Sequence, residues 1–322
     1  MAADHLLRIG SRGSELALWQ ARWVQRSLEQ RFPDLRIEIR IVKTKGDRIL
    51  DSPLSRIGDK GLFTREIENG LLHGEIDLAV HSLKDLPTEL PEGLSIGAIC
   101  EREDPRDVFI PHPSNGVKTL RQQEKGAKVA TGSLRRMCQV LHVRPDVEVI
   151  DLRGNLNTRM DKLERSDWAG MILARAGVAR LGWASRIGET LDVTDMLPAV
   201  GQGALAVEVR QGDAEVASYV SSLHHEETAR SVTAERSLLH CLEGGCQIPI
   251  GAYGRTDGEK GLCLDAVVGS LDGRKIVRGG IAGPADDAGA LGRDLGRRLL
   301  ADGADEILRA IRSAETSRVI DA

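Results

Sequence analysis

Aromatic residues make up only 3% of this 322-residue chain, a scarcity that argues against a surface on which nucleic-acid bases stack. No charge of one sign dominates: 44 Lys plus Arg stand against 48 Asp plus Glu, for a net charge of -4. Global charge therefore recruits no polyanion, and any anion site has to come from local clustering. Cysteine is sparse, with five residues at 100, 138, 241, 246 and 263 and no C-x-x-C pair. That excludes a disulfide framework and the common zinc spacings, so no metal is expected. No apolar run approaches the roughly 18 residues that a membrane span requires. The opening MAADHLLRIG has no apolar signal-peptide core, so a reducing, cytoplasmic setting is expected.

What is present reads as a globular enzyme, 41% hydrophobic and 29% charged, long enough for two or three compact units. A strand is predicted through Leu6 to Ile9, then a GSRGS turn with Ser14 as N-cap. The helix that follows carries Leu16, Trp19, Trp23 and Leu28 at helical spacing. Alternating Ile37, Ile39 and Ile41 mark a second strand. A helix carrying Phe63, Ile67 and Leu71 leads into a buried strand at Ile76 to Val80, which ends abruptly in HSLKDLP. From Lys128 the same grammar restarts: KVA, TGSLRR, a helix through Met137, Val140 and Leu141, then VEVI, DLRGN, GMILA and RAGVARLG.

Strands alternating with helices predict an α/β fold with open, largely parallel sheets covered on both faces, in two lobes. The boundaries fall at CEREDPRD, around Cys100 to Asp107, and at LPAVGQG, Leu197 to Gly203. The strand-like LAVEV after the second boundary is a candidate to rejoin the first lobe. A helix through Thr228 to Leu242, EGGCQIPIG, LCLDAVVG, KIVRGG and a closing helix after Asp286 read as a smaller α+β unit.

In such sheets ligands bind beyond the carboxyl ends of the strands, where turns and helix N-termini offer backbone N–H groups. Arg12, Arg135, Arg136, Arg153 and Arg159 all fall in or just after such turns, beside Gly or Ser. A lone arginine is usually a solvated charge. Five in one structural role point to a ligand carrying several carboxylates or phosphates, which guanidinium forks match. No P-loop or strand-linked G-x-G-x-x-G accompanies them, so a nucleotide is disfavoured. Asp85, in the polar run after IDLAV, is the catalytic candidate; the alternative is a helix cap or a partner of Lys84. His81 is expected to hydrogen-bond backbone in the turn and receives no proton-transfer role. Cys246, after two glycines in EGGCQIP, is expected on an exposed loop, where a thioether anchor and a turnover nucleophile both remain open.

GSRGSELALWQ, KGDRILDSPL, GDKGLFTREIE, IDLAVHSLKDLP, ICEREDPRD, TGSLRR, LRGNLNTR, LPAVGQGALAVE, TAER and EGGCQIPIG occur in this order. Together they closely resemble the porphobilinogen deaminase (hydroxymethylbilane synthase) family, from about Arg8 into the last helix. The resemblance implies two lobes like those of periplasmic anion-binding proteins, 1–103 with 204–221 and 104–203, plus a cofactor-attachment domain at 222–322. It implies a transferase that joins four porphobilinogen molecules into hydroxymethylbilane with loss of ammonia, acting as a monomer with no nucleic-acid or membrane partner. A dipyrromethane cofactor would be held as a thioether on Cys246. Asp85 matches the catalytic aspartate. Ser82, Lys84, Thr131, Ser133, Arg135, Arg136, Arg153 and Gly154 match cofactor contacts, and Arg12, Ser14, Arg153, Arg159, Arg180 and Gln202 match substrate contacts. Lys60 and Phe63 fall in a segment resembling the lid. Gly132 departs from the family's frequent Ser, which puts one hydroxyl contact in doubt.

The competing reading is a non-catalytic two-lobed anion binder. It leaves unexplained both a central carboxylate in HSLKDLP and an anchor-like cysteine in EGGCQ.

Overall fold

The computed structural model describes residues 6–48, 63–242, 248–258 and 261–320. The chain begins with β1 (Leu6–Ser11), α1 (Glu15–Arg31), β2 (Arg36–Ile41), α2 (Lys45–Arg48), α3 (Arg65–Leu72) and β3 (Leu78–Ser82). A single 3-10 turn at Leu83–Asp85 leads on to β4 (Leu94–Ile99). Next come β5 (Asp107–Pro111), β6 (Lys128–Ala130), α4 (Leu134–Val143), β7 (Glu148–Ile150), α5 (Leu156–Glu164), β8 (Gly170–Ala174), α6 (Arg175–Arg180) and β9 (Glu189–Thr190). The remainder is β10 (Leu205–Arg210), α7 (Ala214–Ser221), α8 (Glu226–Cys241), β11 (Ile250–Asp257), β12 (Gly261–Gly269), β13 (Ile276–Gly283), α9 (Ala288–Leu299) and α10 (Asp305–Ile320).

The described residues form two compact units, one within 1–50, 59–103 and 203–229, the other within 104–202 and 230–322. The first unit holds a five-stranded sheet in the order β2-β1-β3-β10-β4. β1 runs parallel to β2 and β3, whereas β10 runs antiparallel to both β3 and β4. LAVEV is thus a strand of this sheet, although it begins at Leu205 and its neighbour β4 ends at Ile99. Leu7, Ile9, Val80 and Val207 pack with Val24 and Leu28 of α1 on one face, and Ala79 packs with Ile67 and Leu71 of α3 on the other. Both faces are covered, which is why these strands read as near-continuous apolar runs.

Ser14 caps α1, its Oγ accepting the Ala17 N–H at 3.3 Å. The buried face of that helix is Gln20, Ala21, Val24 and Leu28, rotated from the stripe through Trp19 and Trp23 that the spacing suggested. The rotation buries a polar side chain, Gln20, at the sheet. The third strand begins two residues later than expected and runs on through His81 and Ser82. Extended backbone carries these two residues, and the turn starts only at Leu83.

The second unit repeats the pattern with a sheet ordered β7-β6-β8-β5-β9, its first three strands parallel and β5 antiparallel to β8 and β9. Leu173 and Val108 face one core and Ile172 and Phe109 the other. This unit also contains the antiparallel sheet β11-β12-β13, covered by α8, α9 and α10 through Leu238, Leu264, Leu295 and Leu308. The closing helix is two helices, broken at Gly303, whose φ of 106° is left-handed. Glu235 of the TAER run is fully buried, and its two carboxylate oxygens accept the N–H groups of Gly201 and Gly254, each at 2.7 Å. No helix among the described residues is long and apolar enough to cross a membrane.

Candidate active site

Two neighbouring parallel strands of the first unit, β1 and β3, end at one pocket of about 60 Å³. Arg12, Ser14, Gln20, Phe63, His81, Ser82 and Asp85 are among the residues that line it. The turn after β1 delivers Arg12 and Ser14. Arg12 lies over the Phe63 ring, its guanidinium carbon 4.3 Å from the centroid, a stacking that orients the planar cation. Phe63 sits ahead of α3 and its preceding residue Thr64, not within the helix as expected.

The end of β3 delivers the other wall. Leu83 N–H donates to Ala204 O at 3.0 Å and Leu86 N–H to Leu83 O at 3.2 Å, closing the 3-10 turn that carries Lys84 and Asp85. Asp85 is exposed and Lys84 half-buried. Gln20 Nε2 donates to Ser82 Oγ at 2.8 Å, so helix α1 braces the strand end from below. His81 differs from expectation: its Nε2 pairs with the buried Glu208 carboxylate at 3.0 Å rather than with backbone.

In the second unit Thr131, Arg153 and Arg175 follow the carboxyl ends of the adjacent parallel strands β6, β7 and β8. Ser133 caps α4, and Thr131 Oγ1 accepts the Ser133 N–H at 3.3 Å. Arg153 Nε reaches Asp151 at 3.3 Å, and Arg159 Nε donates to Gly154 O at 2.8 Å. Gly154 has a φ of 109°, and a Cβ there would lie 2.7 Å from Thr158 Cγ2, so the turn requires glycine. A Cβ on Gly132 would lie 2.3 Å from Leu152 O. That approach between the turns after β6 and β7 is why this chain has no side chain at 132. Arg180 closes α6, half-buried.

Arg135 and Arg136 are turned inward. Arg135 Nη1 donates to Asp107 Oδ2 at 2.6 Å and to Leu197 O at 2.7 Å. Arg136 donates to Asp107 Oδ1 through Nε at 3.1 Å and Nη2 at 2.8 Å. Gln202 Nε2 adds bonds to the same Oδ1 at 2.8 Å and to Pro105 O at 2.7 Å. Burial alone would raise the Asp107 carboxyl; the two guanidiniums overcome this and hold it far below the usual carboxylate range. Burial pulls Arg136 below its ordinary value, against the attraction of Asp107. Arg135 Nε is buried with no hydrogen-bond partner among the described residues.

The sequence reading missed Gln20, Asp107 and Glu208. Each had a signal: a polar or acidic residue inside an apolar helix face or strand, in LWQARW, DVFIP and LAVEV. Lys60 and Cys246 lie outside the described residues. Among the described cysteines, burial pushes the Cys138 thiol up to about 12, which leaves it inert.

Comparison with known proteins adds the chemistry. A family model described as porphobilinogen deaminase, dipyromethane cofactor binding domain, matches residues 7–218. A second, porphobilinogen deaminase, C-terminal domain, matches residues 229–301. The chain is 52% identical to the porphobilinogen deaminase of Desulfitobacterium hafniense over 95% of its own length and 98% of the relative's. It is 50% identical to that of Geobacter sulfurreducens over 97% and 96%. Among solved structures, it overlaps a periplasmic VFT2 domain of Bordetella pertussis BvgS at a TM-score of 0.42 and 16% identity, over 69% of this chain and 88% of that one.

Proposed function

From the premise that the chain belongs to the porphobilinogen deaminase family, we propose which of its own residues carry that family's reaction. The reaction is the stepwise condensation of four porphobilinogen molecules into hydroxymethylbilane with release of ammonia, a transferase step of tetrapyrrole biosynthesis.

The carrying observation is the convergence of Arg12, Ser14, Ser82 and Asp85 on one pocket at the ends of β1 and β3. Porphobilinogen brings two carboxylates and a leaving ammonium. Arg12, held flat by Phe63, binds a substrate carboxylate, with Ser14 beside it. Asp85 accepts the pyrrole N–H and stabilises the positive charge that develops on the methylene carbon as ammonia departs. Arg153, Arg159 and Arg180 bind carboxylates of substrate and growing chain, and Gln202 acts by bracing Asp107. Phe63, against Arg12, falls in the segment that resembles the family's lid, and the resemblance assigns Lys60 to the same segment.

The dipyrromethane cofactor of the family supplies the pyrrole carbon to which the first substrate unit is joined. Its carboxylates suit the second unit, where the buried Arg135 Nε is a donor without an acceptor. Ser82, Lys84, Thr131, Ser133, Arg135, Arg136, Arg153 and Gly154 hold it, with Cys246 as the thioether anchor. Residues 222–322 are assigned as a third domain for that anchor; the sheet β11-β12-β13 lies within them, and Val200 also packs into its core. The family resemblance suggests a cytoplasmic monomer without a membrane partner, and a net charge of -4 with 3% aromatics supports the reading that no nucleic acid is bound.

Intact mass of the purified active protein tests the assignment. A mass excess of two pyrrole units localised to residue 246 is expected; active protein with an unmodified thiol there rules the anchor out.

A further inference from the structure

Beneath the pocket lies a group of buried ionisable side chains to which the reaction as described gives no part. Glu208 is fully buried on β10, and His81 on β3 is 6% exposed. Glu208 pairs with Ala79 in the antiparallel register and Ala206 with His81, so Glu208 and His81 share the sheet face covered by α3. His81 Nε2 lies 3.0 Å from Glu208 Oε2. When Glu208 is the carboxylate it can only accept, and the proton of this bond then sits on His81 Nε2.

Such burial is costly. Glu208 Oε1 and Glu68 Oε1 are both buried with no hydrogen-bond partner among the described residues. Burial pushes the Glu68 carboxyl up, and the charge on Glu208 pushes the same way, against the Thr64 hydroxyl and the pull of His81 and Arg65. An ordinary core would place apolar side chains on this face, since a half-satisfied buried carboxylate is less stable than a packed hydrocarbon. The location suggests what the cluster does. His81 immediately precedes Ser82 and the 3-10 turn of Asp85, and both His81 and Asp85 line the pocket.

We propose that Glu208 and His81 are positioning residues for the condensation: the Glu208 carboxylate takes the His81 Nε2–H, and the imidazole so fixed holds the Ser82–Asp85 turn, and with it the Asp85 carboxylate, at the wall of the pocket. Three ties then secure that turn, from α1, from β10 and from the residue that leads into β10. Glu208 acts from β10 through His81, Gln20 acts from α1 through Ser82, and Ala204 O receives the Leu83 N–H. Glu68, from α3, feels the charge of the same carboxylate.

The inference rests on Asp85 as the catalytic carboxylate, and its test separates the two. Steady-state ammonia release is measured on cofactor-loaded Glu208→Gln, Glu208→Asp, His81→Gln and Glu68→Gln, each checked for folding by circular dichroism. Glu208→Gln is expected to lower kcat about 10- to 100-fold with KM within about twofold, the signature of a displaced catalytic group rather than lost binding. His81→Gln should behave alike, Glu208→Asp should recover part of the loss, and Glu68→Gln should stay within about threefold of wild type. Nitrogen NMR of the wild-type holoenzyme should show the His81 proton on Nε2, and that signature should be lost in Glu208→Gln. Folded Glu208→Gln with wild-type kcat, or a His81 ring protonated on Nδ1 alone, overturns the proposal. Should Glu208→Gln not fold, the wild-type ring assignment and the kcat of His81→Gln decide it. Retained activity in Asp85→Asn would instead remove the reading of Asp85, while the ring assignment would still report on the Glu208–His81 bond.

Discussion

Arg136 closes on Asp107 with two nitrogens on one carboxylate oxygen, Nε at 3.1 Å and Nη2 at 2.8 Å, while Arg135 takes the other oxygen at 2.6 Å. All three side chains are essentially buried. The acid therefore has two countercharges where one would suffice, and the pair of guanidiniums retains a net positive charge in a buried place. Two adjacent arginines in the first turn of α4 are thus held in position by one buried carboxylate.

Removing the acid leaves two buried cations facing each other. Asp107→Asn is expected to destabilise the protein by about 3 to 5 kcal/mol, the usual cost of breaking a buried ion pair from one side. Urea denaturation of the wild type and variant checks it. The pH dependence has a definite sign. The folded Asp107 carboxyl is held below its unfolded value of 3.8, so folding releases its proton more readily. Its contribution is fully present above the unfolded value and is lost only as pH falls through the depressed folded one. The stability gap between wild type and Asp107→Asn should accordingly stay level from neutrality down to about pH 4 and narrow only in stronger acid.

Glu235 should behave as a structural residue. Its two oxygens satisfy the Gly201 and Gly254 N–H groups, and Glu235→Ala leaves both donors buried. A loss on the order of 2 to 4 kcal/mol is expected in thermal or chemical unfolding, with Glu235→Gln milder because one amide oxygen still accepts.

Gly132→Ser introduces the residue that the family resemblance led us to expect, yet here it should cost stability. The added Cβ meets the Leu152 carbonyl oxygen at 2.3 Å, a backbone atom that cannot rotate away. A loss of about 1 to 3 kcal/mol is expected, read as a lower unfolding midpoint.

Much of this molecule was legible in its sequence. Apolar strands punctuated by small-residue turns gave the alternating α/β order, and the ends of those strands gave Arg12, Asp85 and Arg153. What escaped was pairing at a distance. Nothing local in DVFIP reveals that Asp107 receives Arg135 and Arg136, 28 and 29 residues away. Likewise, His81 sat in an apparent turn because its partner Glu208 is 127 residues distant on β10. Side-chain periodicity reports which face is buried, but the buried polar partners come from topology. The α1 stripe held only in part for a related reason: Leu28 is core and Trp23 packs against it, while Leu16 and Trp19 are half-buried and Gln20 is buried with its Nε2 on Ser82.

Arg153 should be needed for handling of the growing chain rather than for folding. Among the described residues its guanidinium pairs with the exposed Asp151 at 3.3 Å, a contact whose loss in Arg153→Ala should cost less than about 1 kcal/mol. Intact mass after incubation with porphobilinogen should show either unloaded protein or accumulation of species short of the full chain. Normal loading with normal turnover would contradict this role.

The central claim is that Asp85 stabilises the charge created when ammonia leaves. Ammonia release from porphobilinogen by cofactor-loaded Asp85→Asn, measured in a single turnover, tests it most directly. The expected result is a loss of at least about 100-fold in rate, comparable to removing one preorganised electrostatic group from an active site, with the fold intact. Release at the wild-type rate would contradict the account.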